Sequence, residues 1–393
     1  MKKILYLSFY FEPDLCAGSF RNTPLVKELA KQAQGLASVD VITTLPNRYN
    51  SFEANASTFE ERMNYNVTRI AIPQHNSGMR DQVLSFIRYY REVCKLVKGK
   101  KYDLVVASSS RLFTAFLGYR VAKKDKTPLY LDVRDIFFDS LEDILSNGII
   151  KAMGMPLIKY VEKKTFKYAS HINLISEGFK PYFQMYSKCH FSYYPNGIDR
   201  VFIDANLDTN NKQNIQREIK TIVYAGNIGE GQGLHKIIPQ AAIKLEGKVK
   251  FIVIGDGGAK GKLLENLEKF EVNNVELRPP VKREELINIY KNADFLFVHL
   301  NNFKAFEKVL PSKLFELATF PIPIIAGVSG FAAAFVSSNI ANTILFDPCD
   351  VDGLVSKLQS YKYRYAVRDS FIEKFQRDNV NRNMAETILQ YIS

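Results

Sequence analysis

The sequence predicts an α/β protein made of two doubly wound domains. Three observations predict this. Short apolar runs alternate with stretches of helical spacing along most of the 393 residues, the pattern of parallel strands joined by crossover helices. The alternation occurs twice, on either side of a polar stretch at 206–218. Finally, 46% hydrophobic and 24% charged residues is the balance of a globular chain with a sizeable core, and the length suits about two to three domains.

In the first half the strands read KILYLSF (3–9), SVDVIT (38–43), VTRIAIP (67–73), DLVVASS (103–109), LYLDVRD (129–135) and HINLIS (171–176), with helical patterns at 21–34, 80–98 and 111–124. In the second half they read KTIVYAG (220–226), VKFIVIG (249–255), VELRPP (275–280), ADFLFVHL (293–300), IPIIAG (322–327) and ILFD (344–347). The seam NLDTNNKQNIQRE (206–218) is rich in Asn and Gln and nearly free of apolar residues, so it reads as a linker or exposed loop. The expected division is a first domain at 1–205, the linker at 206–218 and a second domain at 219–370. A C-terminal helix at 371–393, apolar at Phe371, Phe375, Met384, Ile388 and Tyr391, is expected to pack back on the first domain.

The net charge is +12, unevenly placed: residues 1–200 hold 29 Lys and Arg against 19 Asp and Glu, residues 201–393 hold 24 against 22. The first half is therefore the one suited to an anionic partner. Cys16, Cys94, Cys189 and Cys349 lie far apart with no CxxC spacing, which speaks for a reducing compartment. The start MKKILYLSFYFEPD has a short apolar run followed by Glu-Pro-Asp rather than a small-residue cleavage site, so it reads as a first buried strand. No stretch approaches the ~18 consecutive apolar residues of a membrane span. A cytoplasmic protein is expected.

Several catalytic patterns are absent or bland. The five histidines (75, 171, 190, 235, 299) lack metal-ligand spacing, and no GxSxG elbow occurs. DPCDVDG contains a DxD, but it precedes an apolar-periodic segment, so Asp350 is expected to cap a helix. RYYREVCKLVKGKKYD (88–103) mixes aromatic and basic residues on a predicted helix; an anionic membrane face, nucleic acid and a plain solvated face all fit it.

The chemistry concentrates in VLPSKLFELATFPIPII (309–325). Pro311 suits a first helical turn, whose free N–H groups favour an anion, and Lys313 adds a full positive charge there. Glu316, a turn on, is suited to sugar hydroxyls rather than phosphate. The alternative is an (i, i+3) ion pair on a solvated face. YAGNIGEGQGLHKII (224–238) and IGDGGAKGKLLENL (254–267) are two Gly-rich turns after strands, where a phosphate can approach the backbone closely. Neither is a P-loop, since no GK[ST] follows. All three segments stand at C-terminal strand ends, the ligand edge of an open α/β sheet.

In this order, the segments resemble the retaining glycosyltransferases of family 4, of GT-B fold, and most of all the bacterial branch that builds capsule, O-antigen or other surface polysaccharides. YFEPDLCAGSFRN, DVRDIFFDS and PNGID in the first half, and GNIGEGQGL, IGDGG and PSKLFE in the second, carry the resemblance over nearly the whole chain. It implies two Rossmann-like domains facing a cleft, with a nucleotide-sugar donor, by resemblance UDP-linked, held by the C-terminal domain. The acceptor it implies is a glycan or lipid-linked intermediate at the cytoplasmic membrane face. It implies a hexosyl- or N-acetylhexosaminyl-type transfer without cofactor or metal. Nucleic acid is not an expected partner, and weak attachment to anionic membrane is.

Carried over by position, Glu316 matches the ribose-binding second glutamate of the E-x7-E motif. Lys313 and the amides of residues 313–315, those of Leu314 and Phe315 included, would meet the diphosphate, with Ser312, Asn227, Gly229, Gln232 and Gly255 around it. Gly18 and Ser19, and with them Arg21, would face it from the first domain. Catalytic roles fall to Lys313, to Glu307 at the donor sugar and to Asp135. The first motif glutamate is displaced: eight residues before Glu316 stands Lys308, and Glu307 is one residue further back. Asn227 and Gln232 stand where most of the family has Arg and Lys, and Asp135 lies where an acceptor-domain histidine is common. A nucleotide-sugar-binding protein without transfer activity is the alternative expectation.

Overall fold

The computed structural model describes residues 1–14, 16–46, 56–73, 79–109, 112–136, 148–207 and 218–392. Two compact units are present: Met1–Asn196 with Asp378–Ser393, and Gly197–Arg377. The chain thus changes unit at Asn196/Gly197 and at Arg377/Asp378, rather than at 206–218 and 370/371. Of that expected linker, residues 208–217 lie outside the described residues. Apolar burial accounts for the difference. Ile198 and Phe202, and likewise Phe371 and Phe375, are buried in the second unit's core, so their segments belong to it. The expected C-terminal helix is two helices, Asp369–Phe375 and Arg377–Leu389, broken at Gln376, which bridges to Ile198. Met384, Ala385, Ile388 and Ile392 pack into the first unit's core.

The first unit is built on an eight-stranded sheet ordered β3-β4-β2-β1-β5-β6-β7-β8. The strands are β1 (Lys2–Leu7), β2 (Ala37–Thr44), β3 (Phe59–Arg62), β4 (Tyr65–Ile70), β5 (Leu104–Ser109), β6 (Leu129–Val133), β7 (His171–Leu174) and β8 (His190–Ser192). All neighbours are parallel except β3 with β4. Ile4, Leu5, Tyr6 and Leu7 of the central β1 are wholly buried. This is why that strand reads as a continuous apolar run: a parallel strand is covered on both faces. Sequence periodicity did not announce β3, four residues of which three are exposed, or β8, three residues long.

The second unit holds a six-stranded parallel sheet, β9 (Lys220–Ala225), β10 (Val249–Ile254), β11 (Val275–Arg278), β12 (Phe295–His299), β13 (Ile324–Gly327) and β14 (Thr343–Phe346). Its order is β11-β10-β9-β12-β13-β14, the 3-2-1-4-5-6 order of doubly wound nucleotide-binding sheets. The order reverses between β9 and β12. Their C-terminal ends, at Ala225 and His299, therefore flank the crevice where such sheets take ligands.

Candidate nucleotide-sugar site

The carboxyl ends of β9 and β10 touch. A Cβ on Gly255 would stand 1.8 Å from the Gly226 carbonyl oxygen, and Gly255 has φ +147°, so contact and backbone angle both require glycine. The turn after β9 is closed by its own amides: Asn227 Nδ2 and the Gly229 N–H both donate to Gln232 Oε1, at 2.8 and 3.2 Å. Asn227 and Gln232 thus hold each other. The turn is joined across the switch point to β12. His299 Nδ1–H donates to the Gln232 carbonyl (2.6 Å), and His299 Nε2 accepts from the Cys349 N–H (3.0 Å). Asn301 Nδ2 donates to the Glu230 carbonyl (2.7 Å) while its Oδ1 accepts from Lys236 Nζ (3.0 Å). Burial pushes the His299 imidazole down to about 4, against the Gln232 carbonyl, which favours the charged form. It is therefore neutral, with the single tautomer its two partners require.

Lys313 opens the short helix Lys313–Leu317. Its Nζ and Cε lie 2.9 Å from where a Cβ on Gly226 would stand, and Nζ sits 5.9 Å from the Tyr224 ring centroid. No ion pair or side-chain hydrogen bond holds Lys313 among the described residues, so the surface ion pair with Glu316 is not formed. The helix is five residues long, and its macrodipole is correspondingly small. The Leu314 and Phe315 amides are already committed, to the Pro311 and Ser312 carbonyls at 3.1 Å each; their side chains are buried in the core. This narrows the expected amide cradle, and the charge at this edge is that of Lys313. Ser312 is exposed and its side chain caps nothing. Glu316 is half-buried; burial, and after it the nearby Glu316 charge, raises the phenol of the wholly buried Tyr290.

Glu307 lies in a 3-10 turn, Lys304–Lys308. Its side chain is exposed and meets no partner among the described residues. Gly231 of the β9 turn sits under Phe306 of this turn: a Cβ there would be 3.0 Å from the ring. Gly226, Gly229, Gln232, Gly255, Glu307 and Lys313 thus stand on adjoining segments of one sheet edge. Asp350 caps the helix Val351–Ser360 by accepting from the Gly353 N–H at 2.9 Å. Among the described residues no group of three or more His, Cys, Asp or Glu could hold a metal.

In the first unit, Gly18 and Ser19 are buried in the first turn of the helix Ala17–Gln32. Arg21 is buried and fully engaged. Nε and Nη2 donate to Asp132 Oδ2 and Oδ1 at 2.8 and 2.7 Å, Nη1 to the Pro195 carbonyl and Nη2 also to the Tyr194 carbonyl, both 2.9 Å. The expectation that Arg21 meets a diphosphate is therefore corrected: its fork is spent inside the fold. Burial works to raise the Asp132 carboxyl, but Arg21 and the Asn173 bond more than offset it and hold it below the usual carboxylate range. Among the described residues, the guanidinium here with unsatisfied nitrogens is that of Arg134. Its Nε and Nη1 are shut off from solvent and meet no acceptor, and Nη1 lies 3.2 Å from where a Cβ on Gly18 would stand. Burial, then the Arg21 charge, lowers its pKa. Asp135, next in sequence, is exposed; residues 137–140 of the same resembling segment lie outside the described residues.

Sequence reasoning singled out neither His299, Asn301 nor Arg134. Only Arg134 carried a local signal, the one basic residue between Asp132 and Asp135 in the DVRD stretch.

Several solved structures superpose on nearly the whole chain. A sucrose-phosphate synthase from Thermosynechococcus elongatus superposes with TM-score 0.64 at 13% identity, covering 100% of this chain and 96% of that one. HepE of Anabaena, in complex with UDP, gives 0.63 at 15% over 99% and 100%. A UDP-forming trehalose-phosphate synthase from Burkholderia xenovorans gives 0.69 at 11% over 100% and 99%. The chain has the GT-B fold. Residues 207–377, most of the second GT-B unit, match the family of glycosyl transferases group 1. A curated relative, WcaI of Escherichia coli (strain K12), provisionally described as a colanic acid biosynthesis glycosyl transferase, is 32% identical over 112 residues; that is 28% of this chain and 27% of WcaI.

Proposed function

We propose that this GT-B protein is a retaining glycosyltransferase that moves a hexosyl or N-acetylhexosaminyl group from a nucleotide-diphosphate sugar to an acceptor hydroxyl. The observation that carries this is Lys313 lying against Gly226 at the switch point, with no ion pair or side-chain hydrogen bond among the described residues. A diphosphate leaving group gathers negative charge as the glycosidic bond breaks. A fixed cation at that position stabilises the transition state more than the ground state. Lys313 takes the diphosphate, Glu316 the ribose hydroxyls and Glu307 the donor sugar. Asn227, Gly229, Gln232, Gly255 and Ser312 line the same edge. No step calls for a metal. For Gly18 and Ser19 we propose the diphosphate role that the resemblance implies; Arg134 is the cation that lies against Gly18 in the same unit. Asp135 is the first unit's candidate at the reacting centre.

We take the donor to be UDP-linked: HepE was solved with UDP and the Burkholderia synthase is described as UDP-forming. The partial likeness to WcaI favours an acceptor of surface polysaccharide synthesis. A thermal-shift panel of UDP, GDP, ADP and their sugars, followed by UDP release stimulated by a lipid-linked acceptor, tests this. Stabilisation by UDP with no acceptor-stimulated release would instead support a nucleotide-sugar-binding protein without transfer. The observation favouring that second reading is the one-residue offset of Glu307.

Attachment to an anionic membrane face belongs to the same proposal. The helix Met79–Leu96 exposes Val83, Leu84 and Ile87, followed by exposed Arg88, Arg91 and Lys95, with Lys98 just beyond. An apolar patch continued by a basic stripe suits interfacial docking. No described helix is long and apolar enough to cross a membrane.

A further inference from the structure

We propose that Gly330 is the positioning residue for Glu307, seating the 3-10 turn that carries this carboxylate so that it can reach the donor sugar. The inference rests on the transfer proposed above. Gly330 begins the ten-residue helix Gly330–Asn339, with φ +57°. A Cβ there would stand 2.3 Å from the Glu307 carbonyl oxygen, 2.7 Å from its Cα and 2.8 Å from its carbonyl carbon. Real Cβ atoms do not approach backbone so closely, and backbone cannot swing aside as a side-chain tip can. Any other L-residue at 330 would both strain the left-handed conformation and lift Glu307 off its seat.

The same turn is clamped from a second side. Phe306 lies over Gly231, with its ring 3.0 Å from the place of a Cβ, so the Glu307 turn is pressed between the β9 turn and the start of the 330–339 helix. Between these contacts the Glu307 backbone is fixed while its carboxylate projects, exposed.

A double-variant cycle tests the proposal on the full chain: wild type, Gly330→Ala, Glu307→Gln and both together. The readouts are nucleotide release from UDP-glucose, UDP-galactose, UDP-N-acetylglucosamine and GDP-mannose, and UDP affinity by calorimetry. Glu307→Gln and Gly330→Ala should each lower kcat at least tenfold with UDP affinity unchanged. Gly330→Ala should cost nothing further in the Glu307→Gln background. Independent, multiplicative losses would overturn the proposal, since they would mean a general structural role. Phe306→Leu loosens the clamp without backbone strain; should Gly330→Ala fold poorly by thermal melt, the same non-additivity with Glu307→Gln is read from it. A wild type active on one of these donors whose turnover is indifferent to Gly330→Ala and to Phe306→Leu overturns this inference alone. A wild type that releases nucleotide from none of them removes the transfer reading and this inference with it.

Discussion

Lys313 occupies the space that a side chain on residue 226 would fill: its Nζ is 2.9 Å from the place of a Gly226 Cβ. A cation with no ionic partner among the described residues, held at the end of the β-strand bordering the switch point, is the feature on which the proposed donor site turns. Lys313→Ala should raise the Kd for UDP roughly 10- to 100-fold, the worth of a charge-assisted hydrogen bond, and leave uridine affinity nearly unchanged. Gly226→Ala should do the same by displacing the lysine. Calorimetry with UDP and uridine checks both, and equal losses for the two ligands would refute the phosphate role.

Glu316→Gln should behave differently. The ribose is common to uridine and UDP, so both should weaken together, by about tenfold, the scale of a hydrogen bond to a charged group. Affinities that stay at wild-type values for both ligands would remove Glu316 from the ribose.

Arg21 and Arg134 should separate cleanly. Arg21→Ala leaves Asp132 buried without its guanidinium, which costs about 3–5 kcal/mol, so a large loss of thermal stability is expected. Arg134→Gln removes a cation whose Nε and Nη1 are buried without acceptors. It should leave stability equal or higher, and lower turnover at saturating donor. A fall in stability equal to that of Arg21→Ala would show Arg134 to be structural.

Acid should destabilise the protein through two histidines. Burial lowers His299 to about 4 and, in the first unit, His171 to about 4, against 6.5 unfolded. The folded state therefore binds fewer protons than the unfolded one between these values. Stability from each is fully present above pH 6.5 and is lost as pH falls toward 4, by about 3 kcal/mol per histidine. His299→Gln should flatten this dependence in denaturant titrations across pH 4–7. An unchanged slope would mean that His299 is not held neutral.

Vesicle sedimentation checks the proposed membrane attachment. Binding to anionic lipid should be strong at low salt and released at high salt, as screened charge attraction of about 1 kcal/mol per basic residue demands. Neutralising Arg88, Arg91, Lys95 and Lys98 together should reduce it without altering UDP affinity. Binding indifferent to salt and to these changes would assign the basic half another purpose.

Local chemistry alone determined the alternation of strands and helices, because the periodicity of buried apolar residues is written in neighbouring positions. It also placed the Gly-rich turns and the Lys313–Glu316 pair at strand ends, and Asp350 as a cap, since a cap is decided within three residues. Tertiary structure decided the rest. Arg21 and Arg134 are both arginines beside one aspartate, and only the arrangement of β6, β7 and the Tyr194–Pro195 carbonyls shows which one is consumed. His299 looked like one of five scattered histidines until β12 came to lie next to β9 and set it against Gln232. Gly330 stands 23 residues after Glu307, and its missing side chain matters only because the fold brings the Glu307 carbonyl onto it. Such contacts depend on which strands become neighbours, a long-range choice made by the burial of whole faces rather than by any local run of residues.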